Sequence, residues 1–517
     1  MIISLSVLVI TIIVSGTYAL YKAQLSKNIG VNTTTHGLAY YINYVKGTDI
    51  TAATLNPSTS YEGGASSDIE FWKKDDSYDI YGKIELTVNT IGTNLKNSPA
   101  IKYAVVNNGN VLKEGSLKGT TSGSKVTILK NLYLEQTKQI YTVYVWLDKS
   151  EELGDISNES LSISVDCTAS LQKEPTAAET IISLYTNASK TTAKNNSITY
   201  NYANIYDTDS DNNTSGGLMN DRLGGTTTDL DGGNIRYYGA SPNNYIYFNC
   251  SDYSNQTSST CETWRIIGVF DGKLKLIRGS QIGTYSWDNK NTSTGAENNA
   301  GKNDWTTARL MKLLNPSDYY TVDSNDNGLG QSLYYNSTSG KCYSGQNNAT
   351  VDCDFTSTGI KNDITRNMIA ETTWNIGGWN SSSVYPNQIY EYERGTTVYT
   401  GRPTTPWTGK IALAYPSDYG YAADLNQCVN KQLTEYSDST CTSNNWMKAI
   451  IAPNCGWLLL PNSGDSNGVW SAYSDGSFYL EYASIANGVV PVLSLSSELG
   501  IESGGDGSSS NPYKLSA

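Results

Sequence analysis

Histidine is almost missing from this chain of 517 residues: His36 stands alone, near the N-terminus. Its isolation excludes Ser-His-Asp and Cys-His catalysis, and His-based zinc sites, from the large C-terminal part. Charge is scarce too, with Asp, Glu, Lys and Arg at 16% against the usual quarter. What charge there is leans acidic, to a net of -13, which argues against phosphate backbones and anionic membrane surfaces as partners. No C-x-x-C occurs, so thioredoxin-like redox chemistry and the common zinc spacings are disfavoured. Long apolar runs are also lacking. The one candidate, Ile2 to Val14, falls short of the roughly 20 residues that cross a bilayer as a helix.

Asn, Ser, Thr and Tyr therefore carry the polarity. The chain has 39 Tyr against 5 Phe, so many rings are expected to keep one end wet. Residues 1–20 read as a signal peptide or an uncleaved anchor. The length of the apolar run favours cleavage after Thr17-Tyr18-Ala19, although no basic residue precedes it. Either reading places the remainder outside the cell, and the cysteines agree. Cys250 and Cys261, Cys342 and Cys353, and Cys428 and Cys441 each bracket a polar loop, as local disulfides of an exported chain do. Cys167 and Cys455 are left over.

Residues 28–167 alternate with period two and predict an all-β, jelly-roll-like sandwich. Lys83 to Val88 is one such strand, and Leu161, Ile163 and Val165 mark the last. Gly37 to Tyr44 reads as another. Asn108-Gly109 is a hairpin pair, and Gln139 to Leu147, large on both faces, predicts a central strand. Residues 168–233 read as a linker with one short helix. Thr176-x-x-Glu179 after Pro175 is a capping box, with Ile182 and Tyr185 expected on one face. The stretch from Asn195 to Gly233 reads as a long polar loop. Residues 234–500 predict an α+β domain. It opens with a hairpin turning at Asp271-Gly272 and includes helices at Asp304 to Leu314, Asn362 to Thr372 and Asn445 to Ile451. Residues 501–517 form a Gly/Ser-rich tail.

Within the leader, Ser15-Gly16-Thr17-Tyr18-Ala19 resembles the camelysin and biofilm-fibre subunit family of Gram-positive bacteria. So do Thr35-His36-Gly37-Leu38 and the strand Tyr141 to Asp148. The resemblance implies an exported β-sandwich able to associate through edge strands. In the C-terminal part, WRIIGVFDGKLKLIRG, DWTTARLMKLLN, GKIALAYPSDYGYA, Gly456-Trp457-Leu458-Leu459 and Gly488 to Leu493 carry a second resemblance. They look like an uncharacterised family of exported bacterial proteins similar to the C-type-lectin and sulfatase-modifying-factor fold group. Its relatives include target proteins of diversity-generating retroelements, where a reverse transcriptase rewrites adenine-containing codons in a displayed C-terminal segment. That resemblance implies a frame of Trp457, Leu458, Leu459, Trp470 and Val489 to Val492 around a changeable surface.

The segment between the frames is rich in Ser, Gly, Asn, Asp and Tyr, the residue types of a recognition surface. Its candidate ligand-binding residues are Asp465, Ser471, Tyr473, Ser477, Tyr479, Glu481, Tyr482 and Ser484, with Ser463, Ala472, Leu480 and Ile485 as further exposed positions. Trp470 and Phe478 are assigned to the core. Glu481 is not reached from an Asn codon through its adenines, which sets it apart. Other constellations are weaker. Asp323, Asn325 and Asn327 before Gly328 match half of a calcium loop, but Tyr334 stands where a bidentate Glu belongs. Asp207, Asp209 and Asp211 are similar. Calcium is thus the one cofactor the sequence admits. Glu391 and Glu393, read as a strand, would share a face as paired carboxylates do in a glycosidase, or form a solvated edge. Leu460-Pro461-Asn462-Ser463-Gly464 mimics a sortase signal but lacks the apolar span and basic tail that follow a real one. The sequence as a whole reads as a cell-surface binding protein rather than an enzyme. Its expected partner is a protein or glycan on another cell or a phage. A fibre subunit and an extracellular hydrolase are the rivals.

Overall fold

The computed structural model describes residues 23–24, 38–51, 55–156, 159–203, 216–223, 232–253, 255–289, 300–322, 329–345, 348–396 and 406–516. The leader, His36 and both half-calcium loops (Asp207 to Asp211 and Asp323 to Asn327) lie outside the described residues. The protein is mostly β-sheet, arranged in several sheets around two main cores.

The first core lies between two sheets. One has Leu161–Ser170 between Tyr81–Ile91 and Ala23–Gln24, with Lys125–Tyr133 at its far edge. The other runs Ile42–Val45, Ala65–Lys73, Ile140–Asp148, Ile101–Asn107 and Asn110–Ser116. Alternation drives both. Ile84, Leu86 and Val88 point inward and are fully buried, as are Ile163, Val143 and Val145. Ile140–Asp148 is central, as its two-faced pattern predicts, paired with a strand on each side. Asn108 and Gly109 take positive φ values of 50° and 77°, the geometry a tight hairpin turn requires. The strand expected from Gly37 instead begins with a 3-10 turn, Leu38–Tyr41, before Ile42–Val45.

The helix Ala177–Asn187 follows, and its capping box forms. Glu179 N donates to Thr176 Oγ1 at 3.1 Å, and Thr176 N to Glu179 Oε2 at 2.8 Å. Ile181 and Tyr185, one turn apart, are the buried pair; Ile182 packs only in part. The stretch around residues 190–220 is not a simple loop. Lys190–Asn195, Ile198–Ala203 and Gly217–Asn220 are three successive strands of the large sheet of the second unit. Their inward groups include Tyr200 and Tyr202, which pack edge-on against Tyr421 and Tyr238. Alternation is carried here by tyrosine, so an aliphatic pattern does not reveal it. The sheet continues through Ile235–Tyr238, Glu262–Phe270, Lys273–Arg278, Val492–Ser494 and Ile411–Ala412.

All three local cysteine pairs are disulfides: Cys250–Cys261, Cys342–Cys353 and Cys428–Cys441. Cys167 and Cys455 are free, one in each unit. The expected helices are present but shorter: Arg309–Leu314 after the 3-10 turn Trp305–Thr307, Asp363–Met368 and Lys448–Ile451. Several helices were not expected, among them Pro386–Glu393 and Pro416–Tyr421, each with Pro in its first turn. The Gly/Ser-rich tail is packed. Leu515 is buried, Gln256 holds its N–H and C=O at 2.9 and 2.7 Å, and Tyr513 exchanges backbone bonds with Tyr245 and Tyr247.

The junction between the units is tied on both sides. The Asn131 side chain donates to Glu174 O at 2.9 Å and accepts from Glu174 N at 2.7 Å. Ala177 N donates to Leu499 O at 2.6 Å. Lys113 reaches Glu498 at 2.5 Å across the crevice that the two units line.

Candidate functional site

A second sheet of the C-terminal unit carries the candidate surface. Its order is Thr284–Ser286, Ala486–Gly488, Cys455–Pro461, Gly468–Tyr473, Phe478–Tyr482. The apolar run Trp457 to Leu460 is buried throughout and supplies the expected frame, together with Val489, Val490 and Val492. Indole N–H groups pin this frame to backbone. Trp457 Nε1 donates to Tyr285 O and Trp470 Nε1 to Trp379 O, each at 2.9 Å. Trp470 and Phe478 are both buried, with ring centroids 6.2 Å apart.

Two turns shape the hairpin. Asp465 Oδ1 accepts from Asn467 N at 3.0 Å and from Gly468 N at 2.5 Å, which closes the loop before the inner strand Gly468–Tyr473. Asp475 Oδ1 accepts from Ser477 N at 2.9 Å and Ser477 Oγ at 2.7 Å between the two strands. Those bonds hold the Asp475 carboxyl below its ordinary range. Gly476 has a φ of +94°, and a Cβ there would sit 2.6 Å from Tyr436 O, so glycine is required on both counts.

The candidate ligand-binding residues separate into two groups. Tyr479 and Tyr482 are 54% and 55% exposed, the large aromatics that this region turns to solvent. Tyr473 and Glu481 are partly exposed and joined, Tyr473 Oη donating to Glu481 Oε1 at 2.5 Å. That bond, with partial burial, holds the Tyr473 phenol above its ordinary range. The rings of Tyr473 and Tyr479 lie 4.9 Å apart. Ser471 and Ser484, by contrast, are buried, and so is Ala472. Ser471 Oγ donates to Tyr479 O, and Ser484 O accepts from Ser286 Oγ. The Ser471 side chain thus closes an internal bond, and burial withdraws Ser484 from any ligand. Asp465 and Ser477 are partly exposed but belong to the turns just described. Cys455 pairs in register with Tyr473; burial pushes its thiol up to about 11, away from thiolate reactivity.

The paired-carboxylate reading is corrected. Glu391 and Glu393 lie in the helix Pro386–Glu393, where an i, i+2 spacing points side chains to different faces. Glu391 is exposed. Glu393 is buried and accepts from Ser417 N and Oγ at 2.8 and 2.7 Å. Among the described residues no group of three or more His, Cys, Asp or Glu could hold a metal ion.

What sequence reasoning missed is a buried ionic network beneath the frame. Arg236 Nε meets Asp221 at 2.6 Å and its Nη1 meets Asp418 at 2.9 Å, while Lys275 Nζ bonds the other oxygen of Asp418. All four residues are buried. Burial pushes the Asp418 carboxyl up, yet Lys275 and Arg236 together hold it below its ordinary range. Arg236 also lies over the rings of Phe270 and Tyr421, at 4.6 and 4.8 Å. The signal was partial: Arg236 interrupts the otherwise uncharged strand Ile235–Tyr238, whereas Lys275 sits in the alternating run Lys273-Leu274-Lys275-Leu276 and reads as outward-facing.

No family model matches the chain, and no curated protein matches it. Among solved structures, a mutant of HCR/D and the botulinum neurotoxin serotype D binding domain are similar over 50% of this chain and 85% of each of theirs. Both are 11% identical with a TM-score of 0.14, a likeness too slight to carry an argument.

Proposed function

We propose that this is an exported cell-surface protein that binds a ligand without transforming it. In this reading a jelly-roll-like sandwich serves as the stalk, and a C-type-lectin-like unit displays the hairpin Gly468 to Tyr482. Tyr473, Tyr479, Glu481 and Tyr482 recognise a protein or glycan on another cell or a phage. The carrying observation is the contrast within one strand: Tyr479 and Tyr482 stand exposed while Phe478 beside them is buried in a tryptophan-pinned frame. Rigid aromatic anchors on a stiff support lose little entropy on binding. Three disulfides in the second unit fit an oxidising compartment. The reading is tested by probing bacterial cells, phage and a glycan array with the purified chain. Binding that disappears in the double variant Tyr479→Ala/Tyr482→Ala supports it, and binding that the double variant retains counts against it. Hypervariability of this segment is a separate matter: a near-repeat of its codons beside a reverse-transcriptase gene would support it.

One observation favours the fibre reading as a second possibility. Asn110–Ser116 is an edge strand of the first unit with Val111 and Leu112 exposed at 43% and 41%. Such an edge is a template for assembly, and filaments of purified protein in electron micrographs would make assembly the leading reading.

A further inference from the structure

The strand Phe478–Tyr482 lies at the end of its sheet and pairs on one side only. Which backbone groups face outward follows from the bonds it makes. Tyr473 N donates to Ser477 O at 2.9 Å, Ala483 N to Asn467 O at 2.8 Å and Ser471 Oγ to Tyr479 O at 3.2 Å. Residues 477, 479 and 483 thus turn their polar backbone toward the inner strand, and by alternation residues 478, 480 and 482 turn theirs away. The 3-10 turn Leu433–Glu435 lies beside this strand, and Tyr436 O crowds Gly476 at the approach to it. Tyr482 O takes Ile485 N at 2.9 Å. The N–H and C=O of Leu480 and the N–H of Tyr482 meet no backbone partner among the described residues. Open edges are ordinarily guarded by lysine, proline or a bulge. Phe478-Tyr479-Leu480-Glu481-Tyr482 has no lysine or proline, and its register with the inner strand is unbroken.

Acidic groups predominate around this edge: Lys448 acts on Asp475 from outside the hairpin, and Lys431 is taken up by Glu435 and Asp438. Between Lys448 and Lys514 the chain contains no Lys, Arg or His, while Asp465, Asp475 and Glu481 all lie in or beside the hairpin. Tyr479 and Glu481 share a face of the strand, and Tyr473 bonds Glu481 while its ring lies 4.9 Å from that of Tyr479. Two ring faces beside a carboxylate form a seat for an ammonium or guanidinium group.

We infer that this edge takes an extended basic segment of a partner protein. The segment adds as a further strand beside Leu480 and lays a Lys or Arg side chain between Tyr479 and Glu481. The inference rests on the hairpin being the recognition surface and names the chemistry of what it recognises. Main-chain bonds supply affinity and the alternating side chain supplies selectivity. A second copy of the same edge is a poor occupant, because it brings acidic groups against acidic groups.

The test uses fluorescence anisotropy of the full chain with a labelled peptide of alternating lysine and threonine. Expected results are saturable binding, a loss of roughly tenfold or more in affinity from about 50 to about 300 mM salt, and a comparable loss in Glu481→Gln. No binding is expected of the matching glutamate–threonine peptide. N-methylation of alternate peptide amides should remove binding. So should Leu480→Pro, which deletes an outward N–H; Tyr479→Ala carries this arm if that variant does not fold. Equal binding of the methylated peptide, or none of the lysine peptide, overturns the inference. If cells or glycans bind through Tyr479 and Tyr482 while the lysine peptide does not, the recognition surface stands and its basic partner falls. If nothing binds, both fall. A concentration-dependent dimer abolished by Leu480→Pro would instead assign the edge to self-association.

Discussion

The two units are held together by different chemistry. The first is packed with Ile, Leu and Val from facing strands, and its alternating pattern is nearly all that is needed to build it. The second buries Trp264, Trp287, Trp305, Trp374 and Trp457, a four-residue ionic network and a set of asparagines that bond distant backbone. Asn303 Nδ2 reaches Asn462 O at 3.1 Å and Gly468 O at 2.6 Å. Asn315 clamps Lys410 and Ile411, and Asn445 holds Tyr419 O at 2.9 Å. The lesson is that a short-stranded, loop-rich unit needs polar side chains as internal struts. Each strut adds partners to backbone groups where the sheet ladders are short or absent.

The strongest way to break this contrast is at Asp418. Asp418→Ala strands Lys275 and Arg236 without their shared carboxylate, and the second unit should lose about 3–5 kcal/mol. The exposed pair Lys113–Glu498 gives the comparison, and Glu498→Ala should cost under about 1 kcal/mol. Urea unfolding followed by tryptophan fluorescence measures both; equal effects would erase the distinction. Next in size is Asn315→Ala, which leaves the N–H groups of Lys410 and Ile411 unmet and should cost about 2–3 kcal/mol.

A pH series sharpens the same point. Burial raises the Glu393 carboxyl to about 7, although Arg394 and Ser417 pull it down. The folded state therefore holds its proton to higher pH than the unfolded chain, whose value is near 4.5. The contribution favours folding below about 4.5 and is lost as pH rises through about 7. Glu393→Gln should flatten the fall in stability across that window relative to the unmodified chain, and an unchanged slope would show that Glu393 does not titrate there. The smallest effect is expected at the surface: Tyr479→Ala should shift stability by under about 0.5 kcal/mol, whereas Ser471→Ala disturbs a buried hydrogen bond and should cost more.

Legibility in the sequence followed the same division. Strands built on aliphatic alternation, the Asn108-Gly109 and Asp271-Gly272 turns, the Thr176 capping box and the three disulfides could all be read, because each is set by residues close in sequence. The strands Lys190–Asn195 and Ile198–Ala203 were hidden because Asn195, Tyr200 and Tyr202 fill buried positions that aliphatic residues usually mark. Composition also misled within the candidate surface. Ser471 and Ser484 share the vocabulary of Tyr479 and Tyr482 but face inward, and only the fold separates a strut from a contact. Glu393 was misplaced because Pro386 opens a helix that the flanking Tyr residues disguise as a strand.

The clamped junction at Glu174 has a mechanical consequence. A chain held on its N-terminal side and loaded at the far hairpin passes force through the ion pairs Lys113–Glu498 and Lys118–Asp363 and, along the backbone, through residues 171–176. There the backbone is gripped by Asn131 from the first unit, and one residue beyond it Ala177 is tied to Leu499 of the second. A link fixed at both ends does not swivel. It delivers a tug at Tyr479 to the sandwich as torque, much as a short spanner turns the nut it holds.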